Sequence, residues 1–132
     1  MSRLSIRRIQ LCGAFVLITL ALNGVAGDLD TLLDGYRAQG ARTFDPAAGE
    51  ALWQKEFDGK SCTSCHAEST LDPGRNELTG KPIEPMAPSV NPERLTSNQQ
   101  VTKWLLRNCK STLGRECTAQ EKGDVLTWLS GQ

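Results

Sequence analysis

Apolar positions in the first half of the chain recur at helical spacing. A short helix is expected after Asp30, which would cap it, with Gly40 near its end and one apolar side made of Leu32, Leu33 and Tyr36. A second helix is expected to begin at Asp45 and Pro46, because aspartate is a good cap and proline fits the first turn. Its apolar residues are Ala48, Leu52, Trp53 and Phe57.

Two further helices are expected near the C-terminus. Thr96 or Ser97 can cap the first, whose apolar face has residues three, four and seven apart: Val101, Trp104, Leu105 and Asn108. The second opens with Thr118 and Glu121, which are spaced as a capping box. Its core-facing residues are Val125, Leu126 and Leu129, with Trp128 beside them.

The segment from Leu71 to Pro92 separates these two pairs of helices. It contains five prolines and two glycines, so it cannot form a long helix, and it shows no strand alternation. In a small domain, a connection of this length is typical of a functional loop. The predicted fold class is therefore all-α.

Residues 1–26 have the pattern of a secretory signal peptide. Arg3, Arg7 and Arg8 precede an apolar run from Leu11 to Leu22, which leads into small residues. That run is shorter than the roughly 20 residues of a membrane helix. Cleavage is expected after Ala26 or Gly27, which leaves one domain over residues 27–132 in the periplasm, without stable membrane insertion. An uncleaved N-terminal anchor is the alternative.

Loss of the leader changes the charge and the cysteine count. Removal of its three arginines leaves 12 basic against 15 acidic residues, a net charge of −3. A mildly acidic chain argues against nucleic acid as a partner. Cys12 leaves with the leader, so four cysteines remain: Cys62, Cys65, Cys109 and Cys117.

The strongest chemical signal is the run Cys62-Thr63-Ser64-Cys65-His66, which matches the haem attachment pentapeptide. Two cysteines three apart share one face of a helical turn, where each thiol can bond a haem vinyl group, and His66 then faces the iron. A redox dithiol belongs in a βαβ context that this chain lacks. A zinc site needs four ligands, and a structural disulfide is the third alternative.

His66 is the only histidine, so the sixth iron ligand must be another residue type. Met86 lies in a proline-rich segment and would make an ordinary electron carrier, or it could simply pack against the haem edge. Asn108 lies near the end of a predicted helix, where its amide could bind iron or only the helix terminus. Spacing alone slightly favours Met86.

Cys109 and Cys117 most simply form a disulfide in an oxidising compartment, before the last helix and next to Asn108. Lys81 and Arg115 could neutralise haem propionates, or they could be ordinary surface charges. Trp104, four residues before Asn108, is a candidate for the wall of the haem pocket, with core packing as the alternative.

These residues resemble the SHP cytochromes (sphaeroides haem protein) and the related cytochrome c double-prime, over the whole mature chain. The matching stretches are Ser61 to His66, Thr79 to Ser89, Val101 to Lys110, Leu113 to Cys117 and the pair Glu121-Lys122. The resemblance implies a class I cytochrome c-like helical domain around one covalent haem c.

The resemblance also reverses the preference for Met86. In that family the sixth ligand is an asparagine or histidine immediately before the first disulfide cysteine, which is Asn108 here. That ligand binds ferric iron and detaches on reduction, which opens the ferrous iron to O2, NO or CO. The physical basis is that an amide is a hard donor suited to ferric iron, whereas a thioether prefers ferrous iron.

Three functions follow from these alternatives. The leading one is a periplasmic electron carrier and ligand-binding haem protein, rather than an enzyme, that exchanges electrons with other haem proteins. The second is a protein that handles diatomic ligands or turns over nitrogen oxides at the same open position. The third is a conventional carrier with His66 and Met86 as ligands.

Overall fold

A computed structural model describes residues 28–132, and the predicted leader lies outside this range. The all-α prediction is confirmed. The described elements are α1 (Asp28–Ala38), α2 (Pro46–Gln54), α3 (Thr63–His66), β1 (Gly74–Arg75), β2 (Pro82–Ile83), α4 (Asn98–Leu113) and α5 (Ala119–Ser130). Within residues 28–132, no helix is both long and apolar enough to span a bilayer.

The predicted helix starts agree with the structure to within three residues. Helix α1 begins at Asp28, so Asp30 lies in its first turn rather than at its cap. Asp45 caps α2 by accepting a hydrogen bond from the backbone N–H of Ala47, and Ser97, not Thr96, caps α4. Helix α4 continues to Leu113, where Gly114 ends it in the left-handed conformation (φ 70°) that glycine adopts without steric cost.

The proline-rich segment contains a small hairpin that the absence of strand alternation did not predict. Strands β1 and β2 pair antiparallel through Gly74 with Ile83 and Arg75 with Pro82. Their connection is ordered by Asn76, whose side-chain oxygen accepts from the N–H groups of Leu78 (3.1 Å) and Thr79 (2.8 Å). Two residues per strand are too few to show alternation in a sequence.

Helices α2 and α5 make the most extensive contact between elements. They approach so closely that a Cβ atom on Gly49 would overlap the backbone carbonyl of Asp124 and lie 2.8 Å from the nitrogen of Val125. Only glycine permits this distance. Because α2 leads into the turn that carries Cys62, this contact positions the predicted haem site relative to the core.

Helix α5 supplies both apolar clusters of the described chain. Leu126 packs with Leu33, Tyr36 and Phe44 in the first cluster. In the second cluster, the buried residues are Trp53, Val125 and Leu129. The predicted core face of α5 is therefore confirmed, and the second cluster lies on the side of α5 that meets α2.

A buried carboxylate joins α5 to the start of α2. Asp124 is 6% exposed and accepts hydrogen bonds from the backbone N–H of Asp45 and from Nε2 of Gln120, both at 2.8 Å. Gln120 also donates to the carbonyl of Thr43 (3.2 Å). These bonds satisfy a group whose burial would otherwise be costly, and they fix the entry of α2 against α5.

The start of α5 carries the predicted capping box together with an ion pair. Glu121 accepts from the backbone N–H of Thr118, and both its carboxylate oxygens accept from Arg115 at 2.7 and 2.8 Å. The hydrogen bonds from Arg115 hold the pKa of Glu121 down at about 2, against a smaller opposing effect of burial. Arg115 thus stabilises the helix start.

We expect Gly49→Ala to lower the free energy of unfolding of the haem-loaded protein by about 2 kcal/mol, because the clash at the α2–α5 contact outweighs alanine's helix propensity. Urea denaturation measures this. Gly35→Ala is the matched control: the added Cβ atom meets nothing within 4 Å, and we expect a gain of up to about 1 kcal/mol. Equal stability of the two variants would contradict the proposed close contact.

We expect Glu121→Gln to cost up to about 1 kcal/mol of unfolding free energy at neutral pH. Glutamine can still accept from the N–H of Thr118, but it lacks the charge that pairs with Arg115 and with the positive end of the helix. The pKa of Glu121 is lowered in the fold, so its stabilisation is complete above the unfolded value of about 4.3 and disappears as the pH falls toward about 2. The free energies of unfolding of the unchanged protein and of Glu121→Gln should therefore become equal as the pH falls. Asp34→Asn, in an exposed pair with Arg37, is the control and should change little. A difference that stays constant with pH would refute this explanation.

Candidate functional site

The pentapeptide forms the helical turn that its spacing predicted. Cys62 precedes α3, and its carbonyl accepts from the N–H groups of Cys65 (3.3 Å) and His66 (3.1 Å). Ser64 also tightens the turn, because its hydroxyl accepts from the N–H of Ser61 at 3.0 Å. Neither Cys62 nor Cys65 is in a disulfide, so both thiols remain available for bonding to a haem edge.

The electrostatics of the two thiols do not suit a redox dithiol. Burial raises the pKa of Cys62 to about 11, and the neighbouring Cys65 adds to this rise. Reactive dithiols depend on a lowered thiol pKa, because the thiolate is the nucleophile. Cys109 and Cys117 cannot complete a zinc site with this pair, because they are bonded to each other.

His66 is half-buried, and its ring lies 5.2 Å from that of Trp53, centroid to centroid. Burial lowers its pKa to about 4, and the nearby positive charge of Arg94 contributes further. The imidazole is therefore neutral at physiological pH, which is the form that binds a metal. Its Nδ1 atom is buried and finds no hydrogen-bond partner among residues 28–132.

The β1–β2 hairpin packs directly on this turn through Gly74. A Cβ atom there would overlap the carbonyl oxygen of Cys65 and lie 2.8 Å from the Cα atom of His66. The sequence analysis did not identify Gly74 as a site residue. The Pro73-Gly74 pair marks a turn in the sequence, but nothing local indicates that the turn packs on the pentapeptide.

The segment with Met86 is hydrogen-bonded to the chain that follows the pentapeptide. The carbonyl of Thr70, four residues after His66, accepts from the N–H groups of both Met86 and Ala87 at 2.9 Å. Met86 packs against the cluster of Trp53, Val125 and Leu129. Ala87 is fully buried.

The side chain of Arg94 donates hydrogen bonds to this segment. Its Nε atom donates to the carbonyl of Pro85 (2.8 Å), and its terminal nitrogen donates to the carbonyl of Glu84 (2.6 Å). Asn91 donates a further bond to the Pro85 carbonyl (3.2 Å). Sequence reasoning missed Arg94, because an isolated arginine between a proline-rich loop and a helix carries no motif.

Asn108 lies on α4, a different element from the one that holds Met86. It is half-buried, and no hydrogen bond joins its side-chain amide to another residue in the described range. The predicted disulfide is confirmed: Cys109 and Cys117 are bonded and buried, with their Cα atoms 5.6 Å apart. The disulfide adjoins Asn108 and ties the end of α4 to the start of α5.

The remaining candidates are on the surface of the described chain. Trp104 is 47% exposed and lies between Lys103 and Arg107, whose cationic groups are 5.3 and 5.1 Å from its ring. Lys81 is exposed beside β2. The guanidinium of Arg115 forms an ion pair with Glu121, so the structure does not support the suggested role of Arg115 beside a haem propionate.

Comparisons with known proteins agree on one family. Residues 39–129 match a family described as a domain of unknown function, DUF1924. The chain is 41% identical to cytochrome c-type protein SHP of Cereibacter sphaeroides over 127 residues, which are 89% of this chain and 98% of SHP. It is 36% identical to cytochrome c'' of Methylophilus methylotrophus over 86 residues, 61% of this chain and 60% of the relative.

Solved structures give the same result. The structure of oxidised SHP, described as an oxygen-binding cytochrome c, matches with a TM-score of 0.73 and 40% identity, over 80% of this chain and 98% of SHP. The crystal structure of oxidised cytochrome c'' matches with a TM-score of 0.68 and 29% identity, over 79% of this chain and 94% of the relative. The class I cytochrome c-like fold is thereby confirmed.

The residues of the site fit a covalent haem. Two unpaired thiols share a turn, the adjacent imidazole is neutral, and its buried Nδ1 atom indicates that His66 would present the other ring nitrogen to a metal. The site chemistry, the fold and the identities therefore lead to the same conclusion: the chain belongs to the DUF1924 family and is an SHP-type cytochrome c, whose cofactor is one covalently attached haem c.

Proposed function

We propose that this protein is an exported electron-transfer cytochrome whose haem is held by Cys62, Cys65 and His66, with Asn108 as a detachable sixth ligand. The haem supplies a one-electron iron couple and a sixth coordination position. Asn108 would bind the ferric state and leave on reduction, which frees the position for O2, NO or CO. The similarity to SHP, an oxygen-binding cytochrome c, supports ligand binding.

The observation that carries this proposal is where the backbone holds Met86. A haem held by His66 would take its sixth ligand from another residue. Met86 is tied to Thr70 and packs in the cluster of Trp53, whose ring neighbours His66. Met86 would have to leave this apolar cluster to bind iron, which supports Asn108 over Met86.

The surroundings of Asn108 support detachment by side-chain rotation. Its backbone lies inside α4, and the next residue is fixed by the disulfide. Its amide forms no hydrogen bond to the described chain, in contrast to Asn76 and Asn91, whose side chains bind backbone groups. Rotation of the Asn108 side chain would therefore break no hydrogen bond to residues 28–132 and would not require the helix to move.

The donor chemistry gives the direction of the switch. An amide is a hard and weak donor, so it stabilises ferric iron more than ferrous iron, whereas a thioether does the opposite. Reduction should thus weaken the Asn108 bond selectively. Other haem proteins are the electron partners that we propose. A nitrogen-oxide enzyme is the second candidate, because the same open position would serve it.

We expect Asn108→Ala to convert the ferric haem from low-spin to high-spin, because the ligand opposite His66 is removed, while carbon monoxide binding to the ferrous protein persists. Absorption and EPR spectra of the haem-loaded protein test this. Met86→Leu is the matched control and should leave the ferric spectrum low-spin. A low-spin Asn108→Ala protein, together with a Met86→Leu protein that loses a sulfur-to-iron band, would instead establish a conventional carrier.

We also propose periplasmic export through residues 1–26. The mature protein isolated from the periplasm should begin at Gly27 or Asp28 and should carry the mass of one haem, because cleavage is expected after the small residues at the end of the apolar run. Intact-protein mass spectrometry measures both features together. A periplasmic protein that retains residues 1–26 would establish an N-terminal anchor instead.

A further inference from the structure

A half-buried arginine lies beside the proline-rich segment and has no role in the ligand exchange proposed above. The guanidinium of Arg94 donates to the carbonyls of Pro85 and Glu84 at 2.8 and 2.6 Å. Among residues 28–132 it forms no ion pair within 4.0 Å. Its charge is therefore not neutralised by a contacting carboxylate, and it is directed at two backbone carbonyls.

The backbone at Leu95 fixes the direction in which Arg94 points. Leu95 has a φ of 62°, in a region that a bulky side chain rarely adopts. It persists because its side chain packs against both apolar clusters, the one with Leu126 and the one with Trp53. With Leu95 anchored in the core, the preceding side chain is left facing the proline-rich segment.

That segment is in turn fixed close to His66. Directly after Pro85, the N–H groups of Met86 and Ala87 both donate to the Thr70 carbonyl. Leu95, the residue after Arg94, packs in the same cluster as Trp53, whose ring lies 5.2 Å from that of His66. Burial lowers the pKa of Arg94 itself, and the nearby charge of Glu84 opposes this. A guanidinium stays protonated in such a setting.

We propose that Arg94 is a positioning residue that holds the Glu84-Pro85 backbone near His66, and that its fixed charge raises the reduction potential of the iron. Reduction adds one negative charge to the iron site, and the field of a half-buried positive charge nearby favours that state. This inference rests on the proposed function only in that His66 binds the iron.

The consequence concerns the proposed ligand exchange. If Asn108 leaves when the iron is reduced, the reduction potential of the iron decides at which ambient potential the sixth position opens. Arg94 would set that potential, and Asn108 would respond to the oxidation state of the iron. The two residues belong to different elements, so their contributions can be separated by mutation.

The test is the midpoint reduction potential of the haem-loaded protein, measured by spectroelectrochemical titration. We expect Arg94→Gln to lower the ferrous-to-ferric ratio about tenfold at a fixed electrode potential, which is about 59 mV for one electron. Arg94→Lys should restore most of the potential, because it keeps the charge. Arg42→Gln is the matched control, since it removes an exposed arginine between α1 and α2, and should change the potential little.

A second variant keeps the proposal testable if Arg94→Gln fails to fold. Glu84→Gln removes the exposed carboxylate that opposes Arg94, so we expect the potential to rise. The inference is overturned if Arg94→Gln matches Arg42→Gln, or if Glu84→Gln lowers the potential. Failure of the proposed function would appear separately, as a ferric spectrum that Asn108→Ala leaves unchanged.

Discussion

The close approach of α2 and α5 at Gly49 is the contact on which the rest of the described chain depends. Helix α5 contributes to both apolar clusters, and α2 precedes the turn with Cys62 along the chain. Because Gly49 has no side chain, the helices meet backbone to backbone, and Asp124 can accept from the N–H of Asp45 beside that contact. The haem-binding turn therefore projects from a crossing that cannot slide without breaking a buried hydrogen bond.

The segment with Met86 and the helix with Asn108 hold their side chains differently. A chain of backbone hydrogen bonds leads from Thr70 through Met86 to the carbonyls that Arg94 contacts. Asn108 lies within α4, and its side-chain amide forms no hydrogen bond to residues 28–132. A guanidinium held by two carbonyls would keep its position, and with it the proposed effect on the iron, in both oxidation states. An exchangeable ligand needs a fixed backbone and an unbonded side chain, as Asn108 has.

Sequence patterns predicted the helices well because their signals are local. The capping box at Thr118, the Asp45-Pro46 start and the pentapeptide each lie within a few residues. The β1–β2 hairpin and the contacts of Gly74 and Arg94 were missed, since each joins residues seven to ten apart in the chain and no motif marks such contacts. The choice between Met86 and Asn108 also depends on tertiary structure, because the bonds to Thr70 and the packing of Met86 cannot be read from the sequence.

The position of the disulfide gives a reason why an asparagine could serve as a redox-gated ligand here. If the ligand were in a mobile loop, reduction would release the loop as well as the donor, and rebinding would then carry the entropy cost of ordering several residues. The helix and the Cys109–Cys117 bond would hold the Asn108 backbone whether or not its side chain binds iron. The equilibrium between bound and free asparagine would then depend on the strength of one metal–ligand bond and on one side-chain rotation. A weak donor on a fixed backbone can therefore respond to a single electron.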